Sequence, residues 1–89
     1  MLTMVKVVVA EDHALVRQGI SMLLSATGGF ELVAETALGS EVELLVAFHS
    51  PDLLLLDLAL SDSSGIEVTR KVKKVAPATK VLIVTGNVY

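Results

Sequence analysis

Four short strand-like runs, separated by segments with helical spacing, are the feature of this sequence that most restricts its fold. Three of the runs are apolar almost throughout, as expected of strands that are covered on both faces of a parallel sheet. The second run alternates more strongly between apolar and polar residues. The four predicted strands are residues 6–10, Phe30–Thr36, residues 53–56 and residues 81–84.

Amphipathic helical spacing fills the three intervals between these runs. From Ala14 the apolar residues fall on one helical face and Arg17 falls elsewhere, and Gly28-Gly29 ends this helix because glycine tolerates a left-handed conformation. Residues 40–43 form a capping-box sequence that predicts the start of a second helix. A third helix is predicted over residues 66–75. The side chains expected to face the core are Val16, Ile20, Leu23, Leu24, Val42, Leu45, Val46, Val68, Val72 and Val75.

The order βαβαβαβ predicts one α/β domain, with an open parallel sheet and helices on both of its faces. At 89 residues the chain has no room for a second domain. The last strand, from Val81 to Val84, would lie at an edge with nothing after it to cover it. We therefore expect a chain that is truncated, or one that completes its core with a neighbouring molecule.

Composition excludes several classes of protein. With 53% hydrophobic residues and a mean hydropathy of +0.71, the chain is too apolar to be disordered. It contains no Cys, which excludes a disulfide scaffold and suits a reducing, cytoplasmic compartment. No apolar stretch approaches the ~18–20 residues of a membrane span, and no signal peptide is visible. The net charge of −3 argues against direct contact with nucleic acid.

Acidic side chains and a hydroxyl follow three of the four predicted strands. Glu11 and Asp12 follow the first, Asp57 the third and Thr85 the fourth. The carboxyl ends of parallel strands share one edge, where ligands bind in such folds. Crowded carboxylates disfavour one another's ionisation unless a cation is present, and Mg²⁺ suits oxygen ligands of this kind. A carboxylate beside such an ion can also be phosphorylated, and Asp57 is the best placed for that role.

Four segments of the chain resemble the receiver domain of two-component response regulators. They are residues 7–13, 51–58, 64–67 and 81–85. Residues 11–20 are most similar to the LuxR/NarL-type subfamily, in which the receiver normally precedes a DNA-binding helix-turn-helix domain. The resemblance covers all 89 residues and implies a flavodoxin/CheY-like fold.

The resemblance implies a role for each of the acidic residues. Asp57 would be the phosphoacceptor, taking a phosphoryl group from a sensor histidine kinase. Glu11, Asp12 and Asp57 would hold Mg²⁺ together with the backbone carbonyl of Ala59, and Thr85 would be the switch hydroxyl. Such a module is a stoichiometric phosphoacceptor rather than an enzyme, with at most slow autodephosphorylation. In the intact protein it would control a DNA-binding transcription regulator.

Some positions depart from the family pattern. Ser61 stands where the family usually has proline, and Gly86 where alanine is usual. The family continues with a helix, a fifth strand bearing a lysine that contacts the phosphoryl group, and a last helix. Lys80 cannot replace that lysine, because it starts its strand and so lies at the opposite edge of the sheet. We expect residues 1–89 to be a receiver domain truncated at its C-terminus, without its output domain.

Three other functions compete with this interpretation. A phosphatase of the aspartyl-nucleophile type needs a second aspartate two positions after Asp57, where Ala59 stands. A flavin or nucleotide binder needs a glycine- or hydroxyl-rich loop after the first strand, where Glu11 and Asp12 would repel phosphate. A degenerate receiver that acts only in association or dimerisation stays open, and we expect self-association through the edge strand at residues 81–84.

The two histidines do not indicate a metal site of their own. His13 and His49 are far apart in the sequence, so a shared site is not expected. His13 is predicted at the start of the first helix, on the rim of the acidic site. His49 is predicted near the C-terminus of the second helix, where a cation is favourable.

Overall fold

The computed structural model describes residues 3–84 and contains the predicted alternation of strands and helices. A single 3₁₀ turn, Gly39–Glu41, precedes the second helix. Within the described residues, no helix is both long enough and apolar enough to cross a membrane. The elements are β1 (Val5–Ala10), α1 (Ala14–Thr27), β2 (Phe30–Thr36), α2 (Val42–His49), β3 (Leu53–Asp57), α3 (Gly65–Val75) and β4 (Lys80–Val84).

The four strands form one parallel sheet in the order β2-β1-β3-β4, which confirms the predicted α/β fold. The two central strands, β1 and β3, are the ones whose residues are most completely buried. In register, Val9 pairs with Leu55, and Leu55 pairs with Leu82 on β4. From β1 the chain first places β2 on one side and then β3 on the other. The strand order therefore reverses between β1 and β3, which is where open α/β sheets bind ligands.

The two faces of the sheet are covered unequally. On one face, α2 and α3 pack over β1 and β3 and form the larger core. Val8, Leu54 and Leu56 are fully buried there, together with Val46 of α2 and Val72 of α3. Burying an aliphatic side chain of this size contributes ~1.5–3 kcal/mol to folding, so this layer is the main source of stability.

The opposite face is covered by α1, and here the predicted helix face was partly wrong. Ile20 and Leu24 pack against the sheet, but Val16 is 42% exposed and Leu23 is 66% exposed. The reason is that, within residues 3–84, α1 covers this face alone and too little of the sheet lies beneath its flanks. Val75 was also expected to be buried and is exposed, because it is the last residue of α3 and no further turn shields it.

The predicted capping box is also wrong. Ser40 lies inside the 3₁₀ turn, and no side-chain cap is present where α2 begins. Instead the carboxylate of Asp62, from the loop before α3, accepts the N–H of Gly39 at 2.8 Å and that of Ser40 at 3.1 Å. In a capping box the N–H of Ser40 would be accepted by the Glu43 carboxylate, so a carboxylate supplied by tertiary structure replaces the local one.

Strand β4 lies at an edge of the sheet, as predicted. Among the described residues it pairs with β3 alone, and Leu82 and Ile83 are about half exposed. Lys80 begins the strand and pairs with Leu53, the first residue of β3. This confirms that Lys80 lies at the amino edge of the sheet, away from the acidic residues.

Candidate functional site

The acidic residues come together at the point where the strand order reverses. Glu11 and Asp12 directly follow β1, and Asp57 is the last residue of β3. Because β1 and β3 are parallel neighbours, all three reach the same edge of the sheet. One ligand atom from each of Glu11, Asp12, His13 and Asp57 lies within 4.8 Å of those of the others. We call these four residues the acidic pocket.

Two carboxylates of the acidic pocket are buried. Glu11 is 2% exposed and Asp57 is 3% exposed, whereas the Asp12 side chain is partly exposed. Asp57 Oδ1 accepts a hydrogen bond from the N–H of Ala59 at 3.0 Å. Buried negative charges that are this close are costly without a compensating cation. The pocket is therefore a place where a positive charge would be stabilising.

One buried oxygen of the pocket has no hydrogen-bond donor in suitable geometry. Asp12 Oδ1 is buried and accepts no hydrogen bond, although a buried acceptor normally has a partner. The nearby carboxylates cannot donate a hydrogen bond to it, because ionised carboxylates only accept hydrogen bonds. Oxygen donors from two or three carboxylates are the ligand set that Mg²⁺ takes in proteins. The residues present therefore fit a hard divalent cation.

His13 is the member of the pocket whose side chain can carry a positive charge. It is the N-cap of α1, and its ring Nδ1 lies 2.7 Å from Glu11 Oε1 and 3.1 Å from Asp12 Oδ1. The contact with Asp12 lacks hydrogen-bond geometry, so it is electrostatic only. The hydrogen bond to Glu11 raises the pKa of His13 above its ordinary value, and the charge of Asp12 adds to the effect. Its position at the rim was predicted from the sequence, but these contacts were not.

Arg17 was missed as a site residue, because sequence reasoning only placed it away from the apolar face of α1. Its Nη1 donates to the backbone carbonyl oxygen of Glu11 at 2.7 Å, and its Nε donates to Glu35 Oε1 on β2 at 3.0 Å. The available signal was its place in the first turn of α1. Long helical side chains lean toward the helix N-terminus, which here is the loop that carries Glu11 and Asp12.

The loop after β3, residues 58–64, is fixed at both ends. Near the pocket, the N–H of Ala59 is held by Asp57; the resemblance also assigns the Ala59 carbonyl as a ligand, and that stays a prediction. At the far end, Asp62 binds the N–H groups of Gly39 and Ser40, and these two bonds lower the pKa of Asp62. Thr85, the predicted switch hydroxyl, lies outside the described residues.

The fold and the site together define a class of protein. Its members are open parallel α/β domains with an acidic pocket, suited to a cation, where the strand order reverses. Residues 7–88 match the response regulator receiver domain, and the chain belongs to that family. The family resemblance stated from the sequence is thereby confirmed. Receiver domains are signalling modules in which a phosphoacceptor role is general, and they typically bind Mg²⁺ at an acidic pocket.

Among curated relatives, the oxygen regulatory protein NreC of Staphylococcus haemolyticus is 43% identical over 81 residues. That match covers 90% of this chain and 37% of NreC. The response regulator protein VraR of Staphylococcus aureus is 42% identical over 82 residues, covering 92% of this chain and 39% of VraR. The chain thus spans less than two fifths of the length of these relatives.

Solved structures agree with the fold. The signal receiver domain of a NarL response regulator from Mycobacterium tuberculosis has a TM-score of 0.89 and 32% identity, covering 98% of this chain and 70% of that one. A LuxR-family DNA-binding response regulator from Staphylococcus aureus has a TM-score of 0.86 and 29% identity, covering 97% and 72%. These similarities confirm the predicted CheY-like fold and the LuxR/NarL-type relationship.

Proposed function

We propose that this chain is the phosphoacceptor module of a two-component phosphorelay and that Asp57 accepts a phosphoryl group from a histidine kinase. One observation carries the proposal: Asp57 is a buried carboxylate at the end of a central strand, and its ligand atom lies within 4.8 Å of those of Glu11 and Asp12. Family membership supports it, because receivers interact with histidine kinases.

The transfer would proceed with Asp57 as the nucleophile. A carboxylate oxygen attacks the phosphorus of the kinase phosphohistidine while the P–N bond breaks. The electron pair of that bond stays on the imidazole nitrogen, which then takes a proton from solvent. Asp57 Oδ1 is already held by the N–H of Ala59, so we assign the attack to Oδ2. The product is an acyl phosphate on Asp57.

Glu11, Asp12 and Asp57 would hold a magnesium ion, with the Ala59 carbonyl as a further ligand. The buried Oδ1 of Asp12, which accepts no hydrogen bond, supports this assignment. When bound, the ion supplies charge neutralisation for the transferring phosphoryl group. The protein's own contribution is to keep water from Glu11 and Asp57 by burial and to hold Asp57 in one orientation. Thr85 follows β4 in the sequence, and we propose it as the switch hydroxyl.

The output of the intact protein is proposed from the relatives. The similar structure from Staphylococcus aureus is a DNA-binding response regulator, so we propose that residues 1–89 form a receiver domain that controls a DNA-binding transcription regulator. This chain itself would not contact DNA, because its net charge is −3. The absence of Cys from the sequence and the family's usual location support a cytoplasmic location.

Metal-dependent phosphorylation is the direct test of this proposal. Incubation with Mg²⁺ and a small phosphodonor is expected to add one phosphoryl group to the chain, as measured by intact mass. Removal of the metal with EDTA should return incorporation to background, because the crowded carboxylates then repel the phosphoryl group. Beryllofluoride binding, followed by fluorine NMR, reports the same geometry without turnover. A chain that is folded but shows neither mass gain nor beryllofluoride binding would reject the phosphoacceptor role.

A second candidate function is association alone, as a degenerate receiver. The half-exposed Leu82 and Ile83 on the edge strand β4 favour it, since an apolar edge can pair with a second copy. We expect concentration-dependent self-association in sedimentation experiments. Ile83→Lys should weaken it about tenfold or more, which corresponds to ~1.4 kcal/mol. Leu44→Lys, at an exposed position of α2, is the matched control and should not change it. A monomer at every concentration would contradict this candidate.

A further inference from the structure

The backbone of Glu11 is held on both sides, and one of the two partners is Arg17. The N–H of Glu11 donates to the carbonyl oxygen of Thr36, the last residue of β2, at 3.0 Å. The carbonyl oxygen of Glu11 accepts from Arg17 Nη1 at 2.7 Å. Because only three residues, 11–13, separate β1 from α1, fixing Glu11 fixes most of this loop.

Arg17 is itself anchored to the sheet. Its Nε donates to the carboxylate of Glu35, which is the residue before Thr36 on β2. The loop is therefore tied to β2 twice, once directly through Thr36 and once through Arg17 and Glu35. The Arg17 side chain is 22% exposed and that of Glu35 is 44% exposed, so the ion pair itself lies at the surface and contributes little alone. The contact between Arg17 Nη1 and the Glu11 carbonyl oxygen is part-buried, and its charged donor makes it the stronger of the two contacts.

The guanidinium group suits this task better than another cation would. Its donors lie in a rigid, planar fork, so one group binds the Glu35 carboxylate with Nε and the Glu11 carbonyl with Nη1. A lysine ammonium keeps the charge but not the fork. The positive charge also lies beside a loop that carries two carboxylates, which reduces the cost of bringing them near Asp57.

We propose that Arg17 is a positioning residue for the acidic pocket, holding the loop of residues 11–13 so that Glu11 and Asp12 face Asp57. This inference rests on the proposed function, because it concerns the cation that the pocket would hold. Groups that orient metal ligands commonly change metal affinity by ~10–100-fold when removed. Arg17 acts on the ligands through the backbone of Glu11, and it does not enter the pocket.

Binding of Mn²⁺ to the full chain, followed by electron paramagnetic resonance, tests this inference. Arg17→Met keeps much of the apolar stem and removes both contacts, and it is expected to weaken Mn²⁺ binding about tenfold. Arg17→Lys should restore part of the affinity because it keeps the charge. Glu35→Gln, which leaves the Arg17–Glu11 contact in place, should have a smaller effect and serves if Arg17→Met folds poorly.

Arg70→Met is the matched control, because Arg70 forms an ion pair with Glu67 through the same kind of contact, at 3.0 Å, on α3. It should leave Mn²⁺ affinity unchanged. Melting temperatures without metal are measured in parallel and separate a positioning role from a merely structural one. If Arg17 is merely structural, Arg17→Met lowers the melting temperature and leaves the Mn²⁺ affinity of the folded chain unchanged. That result would overturn the inference while the proposed function stood. A wild-type chain that takes up neither Mn²⁺ nor a phosphoryl group would overturn both.

Discussion

Asp57→Asn is expected to reduce phosphoryl incorporation to background. Asparagine has nearly the same shape and its amide oxygen can still accept the N–H of Ala59, which Asp57 Oδ1 accepts at 3.0 Å. The amide lacks the carboxylate's negative charge and is a poor nucleophile toward phosphorus. The pocket also loses one of its three carboxylates, so its affinity for a divalent cation should fall. Intact mass after incubation with Mg²⁺ and a phosphodonor measures the first effect.

Asp52→Asn is the control for this substitution. Asp52 is also an aspartate that accepts a backbone N–H, from Lys6 at 2.9 Å, but it lies before β3, at the amino edge of the sheet. The same chemical change there should leave incorporation at the wild-type level. Removing a charge from three crowded carboxylates relieves repulsion, so Asp57→Asn should be folded without metal. Undiminished incorporation in a folded Asp57→Asn chain would show that another residue is the acceptor.

The acidic pocket could be predicted from the sequence because it depends on strand ends alone. Glu11 and Asp57 follow apolar strands, and parallel strands bring their carboxyl ends to one edge whatever the side-chain packing is. The residue types at those positions then predict cation binding, and with it the proposed phosphoryl transfer. No contact between side chains had to be known for this step.

The contacts around the pocket could not be predicted in the same way. Arg17 meets Glu35 across 18 positions of the sequence, and Asp62 meets Gly39 across 23. The first pair joins α1 to β2, and the second joins the loop after β3 to the turn before α2, so both depend on how segments distant in the sequence come together in the fold. The predicted capping box at Ser40 was wrong for this reason, since the distant carboxylate of Asp62 accepts the Ser40 backbone N–H. A local sequence pattern shows which nearby side chains can accept a given backbone N–H, but it does not show which distant side chains compete for it.

The exposure of α1 has a different cause. A hydrophobic stripe such as that of Val16 and Leu23 predicts which face of the helix turns toward the sheet. It does not predict how much of the sheet lies beneath that face. On the other side of the sheet, two helices cover β1 and β3, and the predicted positions Val68 and Val72 are buried. Over the described residues, α1 has no neighbouring helix on its own face. The same type of pattern was therefore right for α3 except at its last residue, Val75, and partly wrong for α1.

Gly65→Ala is expected to destabilise the domain and to disturb the loop that follows Asp57. Gly65 is the buried first residue of α3, and a Cβ atom there would lie 2.7 Å from the Cα atom of Leu58 and 2.6 Å from its Cδ2 atom. Backbone cannot move aside as cheaply as the end of a side chain. Overpacking of this kind typically costs ~1–3 kcal/mol, which for a domain of this size lowers the melting temperature by ~4–8 °C per kcal/mol.

Gly19→Ala gives the same chemical change without the contact. Gly19 lies inside α1, where an added Cβ atom would meet nothing within 4 Å. Alanine is favoured over glycine in a helix interior by ~0.5–1 kcal/mol, so this variant should be more stable than the wild type. Urea unfolding of both variants measures the two free energies. Each substitution adds one methyl group to a helical glycine, so opposite signs isolate the contact with Leu58. Equal shifts in the two variants would mean that α3 does not pack closely on the residue after Asp57.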